Sequence, residues 1–247
     1  MKASVIIPNL NGAGWLRDSI ESVWAQTEQD FELIVIDNGS TDESLEQARS
    51  YCSRPNFQLI ENGSNTGFSH AVNQGIARAK SEFVVLFNND AFAEPQWLAE
   101  LIRTAETDPK IFAVQSLMLR HFERELADDA GDYVTWMGFA CKTGDGRRAS
   151  RYTRQKRIFS ACGGAALYRK SILDEIGVFD VAVFRVLRGR RFELALRTIS
   201  ATGTSTAPRP AAATSAARPP ARCATTRLRA SRAGATAFCC PTRTSRF

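Results

Sequence analysis

The stretch EFVVLFNND, residues 82–90, decides how this chain is read. Phe83 to Phe87 form a short apolar run with no polar alternation, which reads as a strand buried on both faces. The run ends on Asn88, Asn89 and Asp90, three hydrogen-bonding side chains at the strand's exit. The same design recurs upstream. ASVIIP is an apolar run ended by Pro8 and followed by Asn11, FELIVID closes on Asp37, and FQLIEN precedes a Gly-containing loop that carries Asn65. Between these runs lie segments with helical spacing: Trp15, Leu16, Ile20, Val23 and Trp24; then a segment opened by Ser40 and Glu43 at capping-box separation; then NTGFSHAVNQGIARAK. Strands alternating with helices at this period predict an α/β fold with a parallel sheet covered on both faces. In such sheets ligands bind beyond the carboxyl ends of the strands, where these polar residues fall.

Downstream, PQWLAELIRTAE predicts a helix with Pro95 near its start, and IFAVQSLML a fifth strand. From about Leu126 to Arg157 the chain is irregular and rich in Gly, Asp and Arg, which suits hairpins or a covering region. IFSACGGAALYRKSILDEIGVFD then predicts a strand, a Gly-Gly loop, a second strand and a short helix.

The 247 residues carry a net charge of +6, but that figure averages two unlike parts. Residues 1–180 hold 19 Lys and Arg against 25 Asp and Glu, a net of −6. Residues 181–247 hold 13 Arg, no Lys and one acid, Glu193, a net of +12. The basic balance therefore says nothing about the body, and no nucleic-acid partner is expected for it. The six cysteines are scattered without a CxxC pair and read as reduced thiols. No apolar run approaches a membrane span and MKASVIIPNL has no signal-peptide pattern, so the expectation is a cytoplasmic chain.

A carboxylate at a strand exit flanked by Asn88 and Asn89 offers hard oxygen ligands of the kind Mg²⁺ or Mn²⁺ takes together with a diphosphate. Asn-Asp clusters are also common turn formers, so the motif gains meaning from its companions. SVIIPNLNG, VIDNGSTDES, NTGFSHAVNQGIARAKSEFVVLFNNDA and CGGAALYRKSILDEIGVFD occur in that order across residues 3–180. With these four pieces the chain resembles the family 2 glycosyltransferases of the GT-A fold, in particular the bacterial rhamnosyltransferase-like branch. No G-x-G-x-x-G follows the first strand, which argues against a dinucleotide dehydrogenase.

The resemblance implies a GT-A, Rossmann-like, mostly parallel sheet flanked by helices over residues 1–180. It implies inverting sugar transfer from a UDP- or dTDP-sugar to a saccharide or lipid-linked saccharide, with possible contact at the inner membrane face. It also implies roles for particular residues. Pro8 and Asn11 would shape the nucleobase pocket, Asp37 would accept the N3–H of the pyrimidine, and Asn65 would line the nucleotide site. Asp90 would bind Mg²⁺ or Mn²⁺ in a D-x-D-like motif whose first position is Asn88. Gly163 and Gly164 would let the sugar or acceptor approach the backbone.

One part of the pattern is missing. In the resembled family an acidic cluster, typically within FFAYFEDVDLSLR, follows the GFDE motif and supplies the base; here Phe179 and Asp180 are followed by VAVFRVLRGRRFELALR. Arginines stand where acids are expected. Read one base out of register, Arg188-Gly189-Arg190-Arg191 is compatible with Glu-Asp-Val-Asp. The expectation is a frameshift near Val181, which makes residues 181–247 an out-of-frame, largely disordered basic tail, rich in Arg, Ala, Thr and Pro. Alternatives are a non-catalytic remnant that binds nucleotide and metal, or a basic-tail module that binds nucleic acid or membrane. His70 and His121 read as structural, Asp128, Asp129 and Asp132 as a solvated turn, and Arg147 to Arg157 as a solvated basic loop or a lipid-facing one.

Overall fold

The computed structural model describes residues 1–137 and 139–181, with two short strands at 204–206 and 212–215. The rest of the basic tail lies outside the described residues, and with it the expectation of disorder and the cysteines Cys223, Cys239 and Cys240. Chain order is β1 (Ala3–Asn9), α1 (Leu16–Trp24), β2 (Phe31–Asp37), α2 (Ser44–Arg49), β3 (Phe57–Glu61), α3 (Phe68–Arg78), β4 (Phe83–Phe87), β5 (Ala91–Ala93) and α4 (Trp97–Glu106). There follow β6 (Ala113–Gln115), β7 (Leu117–Arg120), β8 (Ala127–Asp129), β9 (Asp132–Val134), β10 (Ala140–Lys142), β11 (Arg157–Ile158), β12 (Ala165–Arg169), α5 (Lys170–Ile176), β13 (Thr204–Thr206) and β14 (Ala212–Ser215).

The main sheet has the order β11-β13-β6-β12-β4-β1-β2-β3. Its centre is parallel, β4 to β1 to β2 to β3, as the buried runs predict. Residues alternate between its faces. Val5, Ile7, Leu33, Val35, Val85 and Phe87 pack beneath Leu16, Ile20 and Val23 of α1 and Trp97, Leu98 and Leu101 of α4. Ile6, Ile34, Ile36, Val84 and Leu86 face Ala71, Val72 and Ile76 of α3 and Leu173 of α5. Burying both faces is why these strands show no polar alternation. At Gly75 of α3 a β-carbon would come 2.6 Å from Ile6 Cγ2, so the missing side chain lets the helix lie against β1.

Three expectations are corrected. IFAVQSLML is not one strand; it breaks at Ser116 into β6, in the main sheet, and β7, in a second sheet of order β5-β14-β7-β8. The cause is local. Ser116 Oγ accepts from Trp97 Nε1 at 2.7 Å and donates to Ala165 O at 2.6 Å, which turns the chain out of the sheet. Ser40 does not cap α2, whose N-cap is Glu43 without a side-chain hydrogen bond. Asp128 and Asp129 do not form a solvated turn; both are buried. Within the tail, expected to be largely disordered, the described residues include β13 beside β6 and β14 between β5 and β7. Strand pairing uses backbone groups, which every non-proline residue carries, so a segment without a hydrophobic signal can still be paired on both sides.

Candidate donor site at the carboxyl rim

Strands β4, β1, β2 and β3 run parallel, so their carboxyl ends share one rim. Asn9 and Asp37 are register partners on neighbouring strands there. Asn9 Nδ2 donates to Asp37 Oδ1 at 3.0 Å, Ser44 Oγ at 2.9 Å and Ser40 Oγ at 3.1 Å. Its Oδ1 accepts from Asn89 Nδ2 at 2.8 Å. A single buried asparagine thus joins the exits of β1, β2 and β4. Asn38 extends the network: its Nδ2 donates to Asn65 Oδ1 at 3.0 Å, while its Oδ1 accepts from Thr66 N, Thr66 Oγ1 and Asn62 Nδ2. Asn9 and Asn38 are absent from the sequence-predicted set. A polar residue ending a buried strand was the signal for Asn9, and Asn38 could be read only as part of a turn.

Each predicted residue can now be placed. Pro8 is buried in β1, opposite Ile36. Asn11 is exposed, with φ of 51°; its N–H donates to Ser40 Oγ at 3.0 Å and its Oδ1 accepts from Thr41 N at 2.8 Å. It therefore ties the loop after β1 to the loop after β2. Asp37 is buried and accepts from Asn9, Gly39 N at 3.2 Å and Ser40 N at 3.0 Å. A carboxylate has about four acceptor sites, so three internal donors leave room for one more. Asn65 is exposed and accepts from Gly67 N at 2.9 Å as well as from Asn38. Gly39 has φ of +81°, and a β-carbon there would fall 2.6 Å from Ser64 Cα, so glycine brings the β2 and β3 loops into contact.

Asp42 was not singled out by sequence, yet its carboxylate joins two loops. Oδ2 accepts from Ala13 N at 2.9 Å and Oδ1 from Ser44 N at 3.0 Å. Burial works to raise its pKa, but hydrogen bonds from the Ser44 hydroxyl and from the Ala13 and Ser44 N–H groups outweigh it, and the group sits below its ordinary value.

Of the three residues closing β4, Asn89 turns inward to Asn9 and is structural. Asn88 and Asp90 flank it. The Asn88 N–H donates to Gly164 O at 2.9 Å, and its Nδ2 lies 3.2 Å from where a β-carbon on Gly164 would stand. A β-carbon on Gly164 would crowd Asn88 and Met118, the latter 3.3 Å away, whereas one on Gly163 would make only ordinary contacts, 3.8 Å from Leu86 and 3.9 Å from Phe68. A divalent cation would find one carboxylate, Asp90, and one amide oxygen, Asn88, both hard donors. Among the described residues no three His, Cys, Asp or Glu side chains gather to hold a metal. This set fits an ion held jointly with a diphosphate and does not fit a resident ion caged by protein alone.

Beneath the Gly163–Gly164 loop lies a polar cluster. Gln115 Oε1 accepts from Cys162 N at 2.6 Å, Lys142 Nζ meets Asp128 Oδ2 at 3.0 Å, and Asp129 Oδ1 accepts from Gly131 N at 2.8 Å. Burial raises the Asp129 carboxyl. Burial, with Asp129 and Asp132 nearby, pushes the Cys162 thiol up to about 12. His70 Nδ1 lies 3.1 Å from Thr66 Oγ1, and His121 packs on Trp15, Phe92 and Phe122.

The chain beyond α5 returns to this loop. Asn73 of α3 clamps Phe179, its Nδ2 donating to the carbonyl at 2.7 Å and its Oδ1 accepting from the N–H at 3.0 Å. The Phe179 ring meets Phe68, the neighbour of Gly163. Phe179 therefore sits beside the Gly-Gly loop.

Residues 4–177 match the sequence profile described as glycosyl transferase family 2. The chain belongs to this family. The family 2 match ends three residues before Asp180, where the acids vanish. An uncharacterized glycosyltransferase of Nostoc sp. is 28% identical over 192 residues, covering 75% of this chain and 56% of the relative. A glucosyl-dolichyl phosphate glucuronosyltransferase of Haloferax volcanii is 22% identical over 182 residues, covering 73% and 56%. The chain thus spans little more than half the length of these two curated relatives. Among solved structures, GalNAc-T7 with UDP, GalNAc and Mn²⁺ matches with a TM-score of 0.68 at 16% identity, over 88% of this chain and 44% of that one. At that identity the likeness speaks for the fold, a GT-A-type α/β architecture.

Proposed function

We propose that residues 1–180 form the donor-binding body of an inverting glycosyltransferase that takes a UDP- or dTDP-sugar. The carrying observation is the hydrogen-bonded chain from Asn65 through Asn38 and Asn9 to Asn89, with Asp37 accepting from Asn9, which gathers four loops at one rim. In this reading Asp37 uses its remaining lone pair for the pyrimidine N3–H, a contact that needs an acceptor, while Pro8, Asn11 and Asn65 wall the base. Asp90, with Asn88, holds Mg²⁺ or Mn²⁺ against the diphosphate; when bound, the ion neutralises charge that gathers on the leaving group. Replacing an expected acid by Asn88 leaves one fewer anionic ligand and weakens that hold. Gly163 and Gly164 border the acceptor side, where a saccharide or lipid-linked saccharide would enter. The relative acting on a dolichyl phosphate sugar and the rhamnosyltransferase-like motif pattern favour a lipid-linked acceptor at the membrane face and a deoxyhexose donor.

Transfer also requires a carboxylate within hydrogen-bond reach of the acceptor hydroxyl. We infer that it belongs to the segment after Asp180, that a frameshift near Val181 removed it, and that residues 181–247 are not part of the working enzyme. The absence of those acids favours a second reading of this chain as written, a remnant that binds nucleotide and metal without transfer.

Titration calorimetry with UDP and dTDP in the presence of Mn²⁺ tests the donor site. Micromolar to millimolar binding is expected, weakened about tenfold or more in Asp37→Ala, with Asp90→Asn losing the Mn²⁺ dependence. Equal binding by wild type and Asp37→Ala would remove Asp37 from the base pocket; no nucleotide binding at all would end the donor-site reading.

A further inference from the structure

The hairpin of β9 and β10 carries its large apolar side chains outward. Trp136 is 93% exposed, Met137 61%, Phe139 50% and Tyr133 49%. The turn is held, since Thr135 N donates to Phe139 O at 2.9 Å and Phe139 N to Thr135 Oγ1 at 3.1 Å. Four adjacent apolar side chains in water on a formed hairpin mark a surface meant to be covered.

The segment next to it is basic. Arg147, Arg148, Arg151, Arg154, Lys156 and Arg157 are all exposed, and none makes an ion pair with the described residues. Asp145, the one acid between residues 143 and 160, is engaged by Arg120 at 3.0 Å. This segment brackets the hairpin. Thr143 N donates to Gly131 O at 2.8 Å, Phe159 N donates to Asp132 O at 3.2 Å, and the Tyr152 ring lies against Gly144. Residues 1–180 have a net charge of −6, so six cations that make no ion pair among the described residues, on a segment joined to the base of the hairpin, are a local departure from their surroundings.

We propose that the β9–β10 hairpin and residues 147–157 dock on an anionic lipid bilayer, the cations meeting lipid phosphates and Trp136, Met137 and Phe139 entering the headgroup boundary. Aromatic and apolar side chains flanked by Lys and Arg are the composition that such boundaries retain. A second copy of this chain is a poorer occupant, because an isologous contact would press the same cations against one another. Ser160, bridged to Asp132, is four residues from Gly164, so docking would bring the acceptor side of the rim toward the lipid.

The test is co-sedimentation of the full chain with phosphatidylcholine vesicles with and without phosphatidylglycerol, in the absence of nucleotide and acceptor. Its outcome is therefore separate from that of the donor-site test. Wild type is expected to bind only the anionic vesicles, with Trp136 emission shifted to the blue and quenched by brominated acyl chains. The combined variant Trp136→Ser, Met137→Ser, Phe139→Ser should bind about tenfold more weakly or worse. Arg151→Gln with Arg154→Gln should lose about fivefold per residue. Near-UV circular dichroism checks that both variants are folded. All proteins keep the same 13-Arg tail, so a difference between them belongs to the body. Vesicle affinity unchanged in both variants would overturn the proposal, as would equal binding to neutral vesicles. Self-association that the triple variant abolishes would also overturn it and assign the surface to a second copy.

Discussion

A β-carbon on Gly12 would collide with Asn89 Nδ2 and Asn9 Oδ1, the two ends of one hydrogen bond. Neither end can yield freely. Asn9 is held by Asp37, Ser40 and Ser44, and Asn89 closes β4. Gly12→Ala must therefore break that bond or push the β1 loop outward. Crowding and a stranded buried amide each cost about 1–3 kcal/mol, so a loss of about 2–3 kcal/mol in urea unfolding is expected. If the donor-site proposal holds, UDP affinity should fall about tenfold with it. Unfolding midpoints for wild type and Gly12→Ala check the first figure, and an unchanged midpoint would show that the loop relaxes without cost. Residue types at strand exits were readable from sequence, but their division of labour was not. Asn89 looks like Asn88 in the sequence, and only the position of Asn9 across the β1–β4 pair separates the inward side chain from its flanking neighbours.

At the scale of elements, loops and not helix caps join the first two βα units. α2 lacks a side-chain cap, and Asp42 spends its carboxylate on Ala13 of the loop before α1 and on Ser44 at the start of α2. The consequence for pH follows from the direction of its shift. The folded pKa lies below the ordinary 3.8, so the stabilisation is fully present above that value. It is lost as pH falls through the lower, folded pKa. Thermal midpoints measured downward from neutral pH should drop more for wild type than for Asp42→Asn in the acid range. Parallel curves for the two proteins would remove Asp42 as the cause. Elements with long apolar runs, β1, β2 and β4, were legible because burial on both faces leaves a plain signature. The break at Ser116 and strand β5 were not, because each depends on partners distant in sequence, Trp97 and Ala165 for the first and β14 for the second.

Considered whole, the molecule carries two charge regimes that meet near Asp180, net −6 before and +12 after. Selection on one folded surface does not require such a boundary, whereas a change of reading frame produces one at a single base. The structure adds a geometric reason to care. Asn73 and Phe68 hold Phe179 beside the Gly163–Gly164 loop, which the proposed function assigns to the acceptor side. The frameshift proposal sets the missing acids in the stretch after Asp180, where Arg185, Arg188, Arg190 and Arg191 stand instead. The frameshift proposal therefore makes a paired prediction. Sequencing across codons 175–200 should reveal a one-base insertion or deletion, and the chain as written should bind UDP or dTDP with no measurable sugar transfer. A protein with the alternative frame restored after Asp180 should bind nucleotide with similar affinity and gain transfer. Replacing the first restored acids by amides should remove the gain, with a rate loss of about 10²-fold or more, the scale of a lost general base. Transfer by the unrepaired chain would place the base elsewhere in residues 1–180, and an intact frame in independent reads would make the basic tail a selected part of the protein.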